Sequence, residues 1–298
     1  MRIGLFLAPN DLDSYVADVR VAAGQGFASI WTPQIFGLDA LTAIAIAGRE
    51  VPTIEFGTAV VPSYPRHPAV MAQQALTANQ ATGGRLTLGM GLSHKVVIEG
   101  MYGLSFDKPA NHMRAYLSIL APLLNGQPVS VSDNDGLTYR GAIGIANTPA
   151  PKLMIAALAP AMLRLAGSQT DGTILWMTGP TTISEHIIPT MHAAATEAGR
   201  PTPATVVGLP VCLTNDVEGA RARASKEFAI YGQLPSYRAV LDREGAAGPA
   251  DIAMIGDEAT VAAGIQRVRD AGATELCANI FGAPEDRART QDFLASLL

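Results

Sequence analysis

Charge is scarce in this chain. Only 16% of its 298 residues are Asp, Glu, Lys or Arg, and 21 Lys and Arg stand against 26 Asp and Glu, a formal net charge of -5. Such a composition offers a phosphate polymer or an anionic bilayer no basic surface, so neither nucleic acid nor a membrane is expected as a partner. Long apolar runs are missing as well. Stretches such as Ile3 to Ala8 and Leu153 to Leu158 fall far short of the roughly 18 residues that a membrane-spanning helix needs. Arg2 precedes a short apolar run that ends in Asn10-Asp11-Leu12-Asp13 with no small-residue cleavage site. That is not the pattern of a secretory leader, and a cytoplasmic location is expected. Cysteine is limited to Cys212 and Cys277, which show neither CxxC spacing nor a clustered histidine. They read as buried free thiols, with no disulfide and no metal site. What the chain does have is apolar mass. Its 48% of hydrophobic residues supports a large interior, excludes disorder and, with so few charges, points to burial between subunits in a homodimer.

Periodicity organises the rest. Near-continuous apolar runs alternate with helical spacing: strands over Arg2–Ala8, Phe27–Trp31, Ile54–Val61 and Arg85–Met90, helices over Ser14–Ala23, Leu38–Gly48 and Pro68–Ala81. Runs of this kind suit a parallel sheet covered on both faces. After Gly91 a polar loop intervenes, then a helix over Asn111–Leu124 with Asn111 as N-cap and Asn125-Gly126 as its stop. Asn134-Asp135-Gly136 between Val129-Ser130-Val131 and Leu137-Thr138-Tyr139 signals an inserted hairpin. Strands follow at Leu153–Leu158, Thr173–Met177 and Thr205–Leu213, with helices at Pro160–Gln169, Thr182–Ala198 and Val217–Tyr231. Gly232–Ala253, rich in Gly and Pro, reads as an irregular excursion, followed by a helix over Glu258–Ala271, a strand over Glu275–Ile280 and a helix over Pro284–Leu298. The pattern predicts a single α/β domain over residues 1–298, a (β/α)8 TIM barrel with a small hairpin insertion after helix 4 and an irregular excursion after helix 7. A doubly wound open sheet competes, but Ala8-Pro9-Asn10-Asp11 stands where its Gly-x-Gly-x-x-Gly turn belongs.

In a TIM barrel the chemistry lies at the C-terminal ends of the strands. Those ends read Trp31-Thr32-Pro33-Gln34, Thr58-Ala59-Val60-Val61-Pro62, Gly91-Leu92-Ser93-His94, Leu158-Ala159-Pro160-Ala161 and Trp176-Met177-Thr178-Gly179. They hold no carboxylate pair for acid–base hydrolysis and no ligand set for a metal. Small and apolar residues with few polar groups suit a flat conjugated cofactor that brings its own reactivity, so redox chemistry is expected. His67, His112, His186 and His192 fall on helix starts or an outer helix and are assigned no catalysis. Lys152 precedes its strand, at the wrong barrel face for a Schiff base.

Three segments carry a resemblance: Phe56-Gly57-Thr58-Ala59-Val60-Val61-Pro62, Arg66-His67-Pro68-Ala69-Val70-Met71-Ala72 and Gly84-Arg85-Leu86-Thr87-Leu88-Gly89-Met90-Gly91. They resemble the bacterial luciferase-like superfamily. Within it the chain looks most like the coenzyme F420-dependent branch, similar to methylenetetrahydromethanopterin reductase and F420-dependent glucose-6-phosphate dehydrogenase. The likeness extends through Ala159–Leu175 and Asp257–Phe281, although the superfamily divides between FMN and coenzyme F420. The resemblance implies a non-prolyl cis peptide at Ala59-Val60, a bulge against the central ring of the deazaflavin, where the residues alone suggest an ordinary buried strand. It also implies cofactor contacts from Gly91, Ser93, His94 and Trp176, and a phosphate site at Ala159, Pro160, Ala161 and Met162, where free amides open a helix.

His94 stands where the sugar-phosphate dehydrogenase relatives carry a glutamate, which makes it the catalytic candidate, as cofactor contact or proton donor. Those relatives place an aspartate-histidine pair after the second strand, where this chain has Trp31-Thr32-Pro33. A more apolar small-molecule substrate is therefore expected, bordered by Trp31, Gln34 and Met177. The resulting expectation is an F420-dependent oxidoreductase moving a hydride between deazaflavin C5 and a CH–OH, C=C or C=N group, in the direction of substrate reduction. Two alternatives stand beside it: an FMN-dependent luciferase-like monooxygenase, and a barrel that binds a flavin without turnover.

Overall fold

The computed structural model describes residues 1–8, 10–132 and 137–298. In chain order it runs β1 (Arg2–Phe6), α1 (Leu12–Gln25), β2 (Ser29–Thr32), α2 (Ala40–Glu50), β3 (Glu55–Thr58), β4 (Val61–Pro62), α3 (Pro68–Ala81), β5 (Leu86–Gly91), α4 (Lys95–Gly100) and α5 (Pro109–Leu124). It continues through β6 (Val129–Ser132), β7 (Thr138–Gly141), β8 (Lys152–Ile155), α6 (Pro160–Gln169), β9 (Gly172–Trp176), α7 (Pro180–Thr182), a π-helical turn (Ile183–Ile187) and α8 (Ile188–Glu197). The last part comprises β10 (Ala204–Leu213), α9 (Val217–Glu227), a 3-10 turn (Ala229–Gly232), α10 (Pro235–Glu244), β11 (Met254–Gly256), α11 (Glu258–Asp270), β12 (Glu275–Ile280) and α12 (Pro284–Ala295).

β1, β2, β3, β5, β8, β9, β10 and β12 pair in parallel, each with the next. The ring closes where Arg2 to Leu5 lie in register with Glu275 to Ala278. This is the predicted eight-stranded (β/α)8 barrel. β6 and β7 form the separate antiparallel ribbon of the inserted hairpin, while the Asn134-Asp135-Gly136 turn lies outside the described residues. Strand alternation divides the side chains between two layers. Ile3, Leu5, Ile30, Phe56, Leu88 and Ile155 pack outward against the helices. Trp31, Met154, Ile174, Val206 and Cys277 fill the barrel interior.

The departures from the sequence pattern have local causes. The third predicted strand, Ile54–Val61, is interrupted, with Ala59 and Val60 standing between β3 and β4. α5 starts at Pro109 rather than after an Asn111 cap: Lys108 takes a left-handed conformation (φ 47) and proline supplies the first helical residue. Asn111 instead accepts a hydrogen bond from the Arg114 guanidinium. The helix expected over Thr182–Ala198 begins at Pro180 and widens into the π turn just before Pro189, which has no N–H to continue the α ladder. The excursion over Gly232–Ala253 is not irregular throughout. It holds α10, which buries Val240 and Leu241 and ends on left-handed Gly245. One narrow buried face gives too weak a period to read from sequence. The polar loop after Gly91 likewise contains α4, with Ile98 buried.

Candidate functional site

The interior of the barrel is built upward from a polar floor. Glu275 is 6% exposed, and its Oε1 accepts the Trp31 indole N–H at 2.7 Å and the Ser29 hydroxyl, while Arg2 Nε lies 3.4 Å from Oε2. This network turns Trp31 inward and downward. Cys277, in the same layer, has its thiol pushed well above the ordinary range by burial and by the Glu275 charge. Burial, then the Asp286 charge, raises Cys212 to about 11. Both stay protonated at neutral pH and offer no ready nucleophile.

Above this layer lies the step between β3 and β4. The Ala59-Val60 peptide is cis, as the resemblance implies. Ala59 N–H donates to Thr32 O at 2.9 Å on one side, and Ser63 N–H donates to Gly91 O at 2.9 Å on the other. Thr58 Oγ1 donates to Gly89 O at 2.7 Å and accepts from Gly89 N–H at 2.9 Å. Two glycines make this approach possible: a Cβ on Gly89 would run into the Thr58 carbonyl, and one on Gly91 would stand 2.5 Å from Val60 Cγ2. Ala59 and Val60 are left half-buried, facing the mouth over Trp31 and Met154.

Around the mouth the remaining predicted residues fall into two groups. Ser93, left-handed at φ 59, and His94 follow β5, with His94 at the start of α4 but making no capping hydrogen bond through its ring. Burial lowers the His94 pKa below its ordinary 6.5. Beyond the neighbouring strand β8, α6 opens at Ala159 and Pro160 with no side-chain cap. His186 Nε2–H donates to Leu158 O at 2.9 Å and fixes this turn, so His186 supports the site rather than only decorating an outer helix. The amides of Ala161 and Met162 head the first turn, where an anion is favoured, whereas the Met162 side chain is 6% exposed and belongs to the core.

The three residues expected to border the substrate are placed as follows. Met177 is fully buried among Cys212, Phe228, Ile255 and Phe281, because Trp176 before it takes the inward position. Trp31 is 3% exposed and tied to Glu275, so its ring is a layer beneath the step and not a free stacking face. Gln34 spends its Oε1 on the Ala40 amide at 2.7 Å, holding the entry to α2.

One side of the mouth is lined by a run of aromatic rings. Phe6 stacks on Trp176 at 5.3 Å and 21°. Trp176 meets Phe228 edge-on at 6.1 Å and Tyr231 at 5.8 Å. Tyr231 meets Tyr237 at 5.0 Å, and Tyr237 reaches His94 at 5.8 Å. Sequence reasoning missed Phe6, Tyr231 and Tyr237. The one local trace of α10 is Tyr237, Val240 and Leu241 at i, i+3, i+4 between Pro235 and Gly245, too short a run to set a helical period by itself. α10 is held in place by Glu244, which accepts from Thr181 N–H at 3.1 Å, Thr182 N–H at 2.9 Å and the Thr182 hydroxyl at 3.0 Å.

Of the two residues following each barrel strand, none is Asp, Glu, Lys or Arg. Among the described residues no three His, Cys, Asp or Glu gather to hold a metal ion, and no helix is long and apolar enough to cross a membrane. A cavity of about 250 Å³ lies beside the C-terminal end of α10, lined by Glu244, Met254 and Arg267 among others, and contains none of the predicted site residues.

A family model described as luciferase-like monooxygenase matches residues 3–286. The chain is 26% identical over 303 residues to a 5,10-methylenetetrahydromethanopterin reductase of Methanolobus tindarius, covering 99% of this chain and 91% of the relative. Its fold resembles an F420-dependent secondary alcohol dehydrogenase solved with an F420-acetone adduct, with a TM-score of 0.84, 17% identity and coverage of 100% and 98% of the two chains. It also resembles the oxygenating constituent of 3,6-diketocamphane monooxygenase of Pseudomonas putida in complex with FMN, with a TM-score of 0.78, 17% identity and coverage of 99% and 97%.

Proposed function

Because the chain belongs to the luciferase-like monooxygenase family, we propose that it is a coenzyme F420-dependent oxidoreductase that reduces a small organic substrate. The observation that carries this reading is the step at Ala59 and Val60, half-buried at the mouth, fastened on both sides and lying above an apolar interior. A flat ring system fits such a shelf, and the glycines at 89 and 91 leave the room in which the shelf is seated. Coenzyme F420, when bound, supplies a deazaflavin carbon that exchanges a hydride with the substrate. Ala59, Val60, Gly91 and Ser93 would hold the ring, and the amides at the start of α6, from Ala159 to Met162, would hold its phosphate. His94 would line the ring edge. Its lowered pKa keeps the imidazole neutral at pH 7, able to donate one hydrogen bond and accept another.

Among the described residues no Asp, Glu, Lys or Arg is among the two residues after any barrel strand, so rate enhancement comes from orientation and from exclusion of water, which can supply about 7 kcal/mol or more when the reacting atoms are held in line. The protein is expected in the cytoplasm and as a homodimer. Exposed Val96, Met101, Tyr102 and Leu104 after β5 are apolar surface of the kind a second copy covers, and sedimentation checks that. Equilibrium titration decides the cofactor. Coenzyme F420 fluorescence should quench saturably on adding the protein, with FMN binding more weakly. Tighter FMN binding would assign the monooxygenase reading instead.

A further inference from the structure

The Trp176 indole nitrogen is buried, and among the described residues no acceptor meets it in full hydrogen-bond geometry; the Tyr231 phenol oxygen is within its reach but imperfectly placed. Leaving an N–H dry and unpaired is unfavourable, so such a group in a native site calls for an explanation. The ring itself is firmly placed. Phe6 lies parallel to it, and Phe228 and Tyr231 close on its edges. Gly208 lets it lie against β10, where a Cβ would approach the ring to 2.9 Å. Strand parity places Trp176 inward, one layer above Ile174. The Tyr231 phenol is a polar neighbour within reach of the indole N–H. Burial pushes its pKa up, and the indole N–H draws it the other way.

We propose that Trp176, with Phe6, Tyr231, Tyr237 and His94, forms the acceptor subsite of this mouth. Its ligand is an uncharged, planar or cyclic molecule carrying a carbonyl oxygen, and that oxygen takes the Trp176 N–H. Three observations fix the class. The parallel Phe6 and Trp176 rings favour a flat apolar body. The absence of charged residues from the strand exits, together with a neutral His94, leaves an anion or cation without a counter-charge. The indole N–H, met only by the imperfectly placed Tyr231 phenol, selects an acceptor atom that can take that place, since a site built to donate one hydrogen bond discriminates against a ligand that lacks the matching oxygen. Admission of the ligand turns Tyr231 aside, on a segment whose flanking Ile230 and Gln233 are exposed. The proposal rests on reading the mouth as a cofactor-and-acceptor site, but its test does not depend on which cofactor binds.

The chain contains two tryptophans, so an amide-type nitrogen–proton NMR spectrum of labelled protein shows two indole signals, assigned with Trp176→Phe. Three probes are compared, with and without coenzyme F420: 1-tetralone, tetralin, which lacks the oxygen, and 1-naphthoate, which is charged. The expected result is that 1-tetralone moves the Trp176 signal downfield and leaves Trp31, already bonded to Glu275, in place. Calorimetry should show Trp176→Phe weakening 1-tetralone roughly three- to tenfold, the size of one neutral hydrogen bond, while leaving tetralin unchanged. An unmoved Trp176 signal in both conditions, an equal shift with tetralin, tighter binding of 1-naphthoate, or a variant that keeps the preference for the ketone would overturn the proposal. If coenzyme F420 fails to bind but 1-tetralone still moves the signal, the subsite stands and the cofactor assignment falls.

Discussion

His94 shows how burial, without a charged partner, sets the chemistry of a single residue. Desolvation is the cause of its lowered pKa, and the facing Tyr237 is itself pushed up by burial and stays neutral. With the folded pKa below the unfolded 6.5, the unfolded chain binds the proton first as the pH falls. The neutral-imidazole contribution is therefore full above 6.5 and is lost as the pH drops through that value toward the folded pKa. Urea denaturation should show His94→Gln losing less stability than the wild type between about pH 7 and pH 5, with the two curves parallel above that range. At this scale the sequence was half legible. The order Gly91-Leu92-Ser93-His94 placed His94 correctly, and the luciferase-like motif located the Ala59-Val60 peptide, which periodicity alone would have left as plain strand. Trp31 on β2 and Met177 just after β9 are buried more deeply than the sequence suggests. A partner far along the chain, Glu275, and the parity of Trp176 decided where those side chains went.

Helix α10 is the element that the sequence concealed and that shapes the mouth most. It carries Tyr237 over His94, and at the far end the Glu244 carboxylate accepts from the amides at the head of α7 while the Thr182 hydroxyl donates to Val240 O. An anion on a helix start contributes about 0.3–1 kcal/mol in exposed settings and up to about 2 kcal/mol when partly buried. Glu244→Ala should accordingly speed amide exchange across residues 235–244 several-fold, as read by mass spectrometry, while far-ultraviolet circular dichroism stays at the wild-type value. Unchanged exchange would mean that packing of Val240 and Leu241 alone holds the helix. The regular helices were legible because their signals are local: Pro68 and Pro160 open α3 and α6 at the residues where the pattern placed them. The π turn before Pro189 and the left-handed Lys108 depend on a proline reshaping its neighbours, which hydrophobic period does not register.

The whole molecule depends on a seam. β12 returns to β1, and the floor network of Glu275, Trp31, Ser29 and Arg2 crosses that closure from β12 through β1 to β2. Eight strands could be counted from the sequence, because both faces of each are covered. The alternation also predicted the ring they close, but not the floor network across its seam, since Arg2 and Glu275 lie at opposite ends of the chain. Trp31→Phe deprives the buried carboxylate of a donor and is expected to cost about 1–3 kcal/mol. If residues 1–298 form one domain, calorimetry, circular dichroism and tyrosine fluorescence should report that loss as one shifted transition, whereas two separated transitions would divide the barrel.

The central claim is that the mouth seats a deazaflavin on the step between β3 and β4. A crystal structure of the protein grown with coenzyme F420 tests it most directly. The account predicts the tricyclic ring against Ala59 and Val60, one edge at Ser93 and His94, and the phosphate within hydrogen-bond reach of the Ala161 and Met162 amides. A ring bound elsewhere, or a mouth that remains filled by Tyr231 and Tyr237 at saturating cofactor, would contradict it.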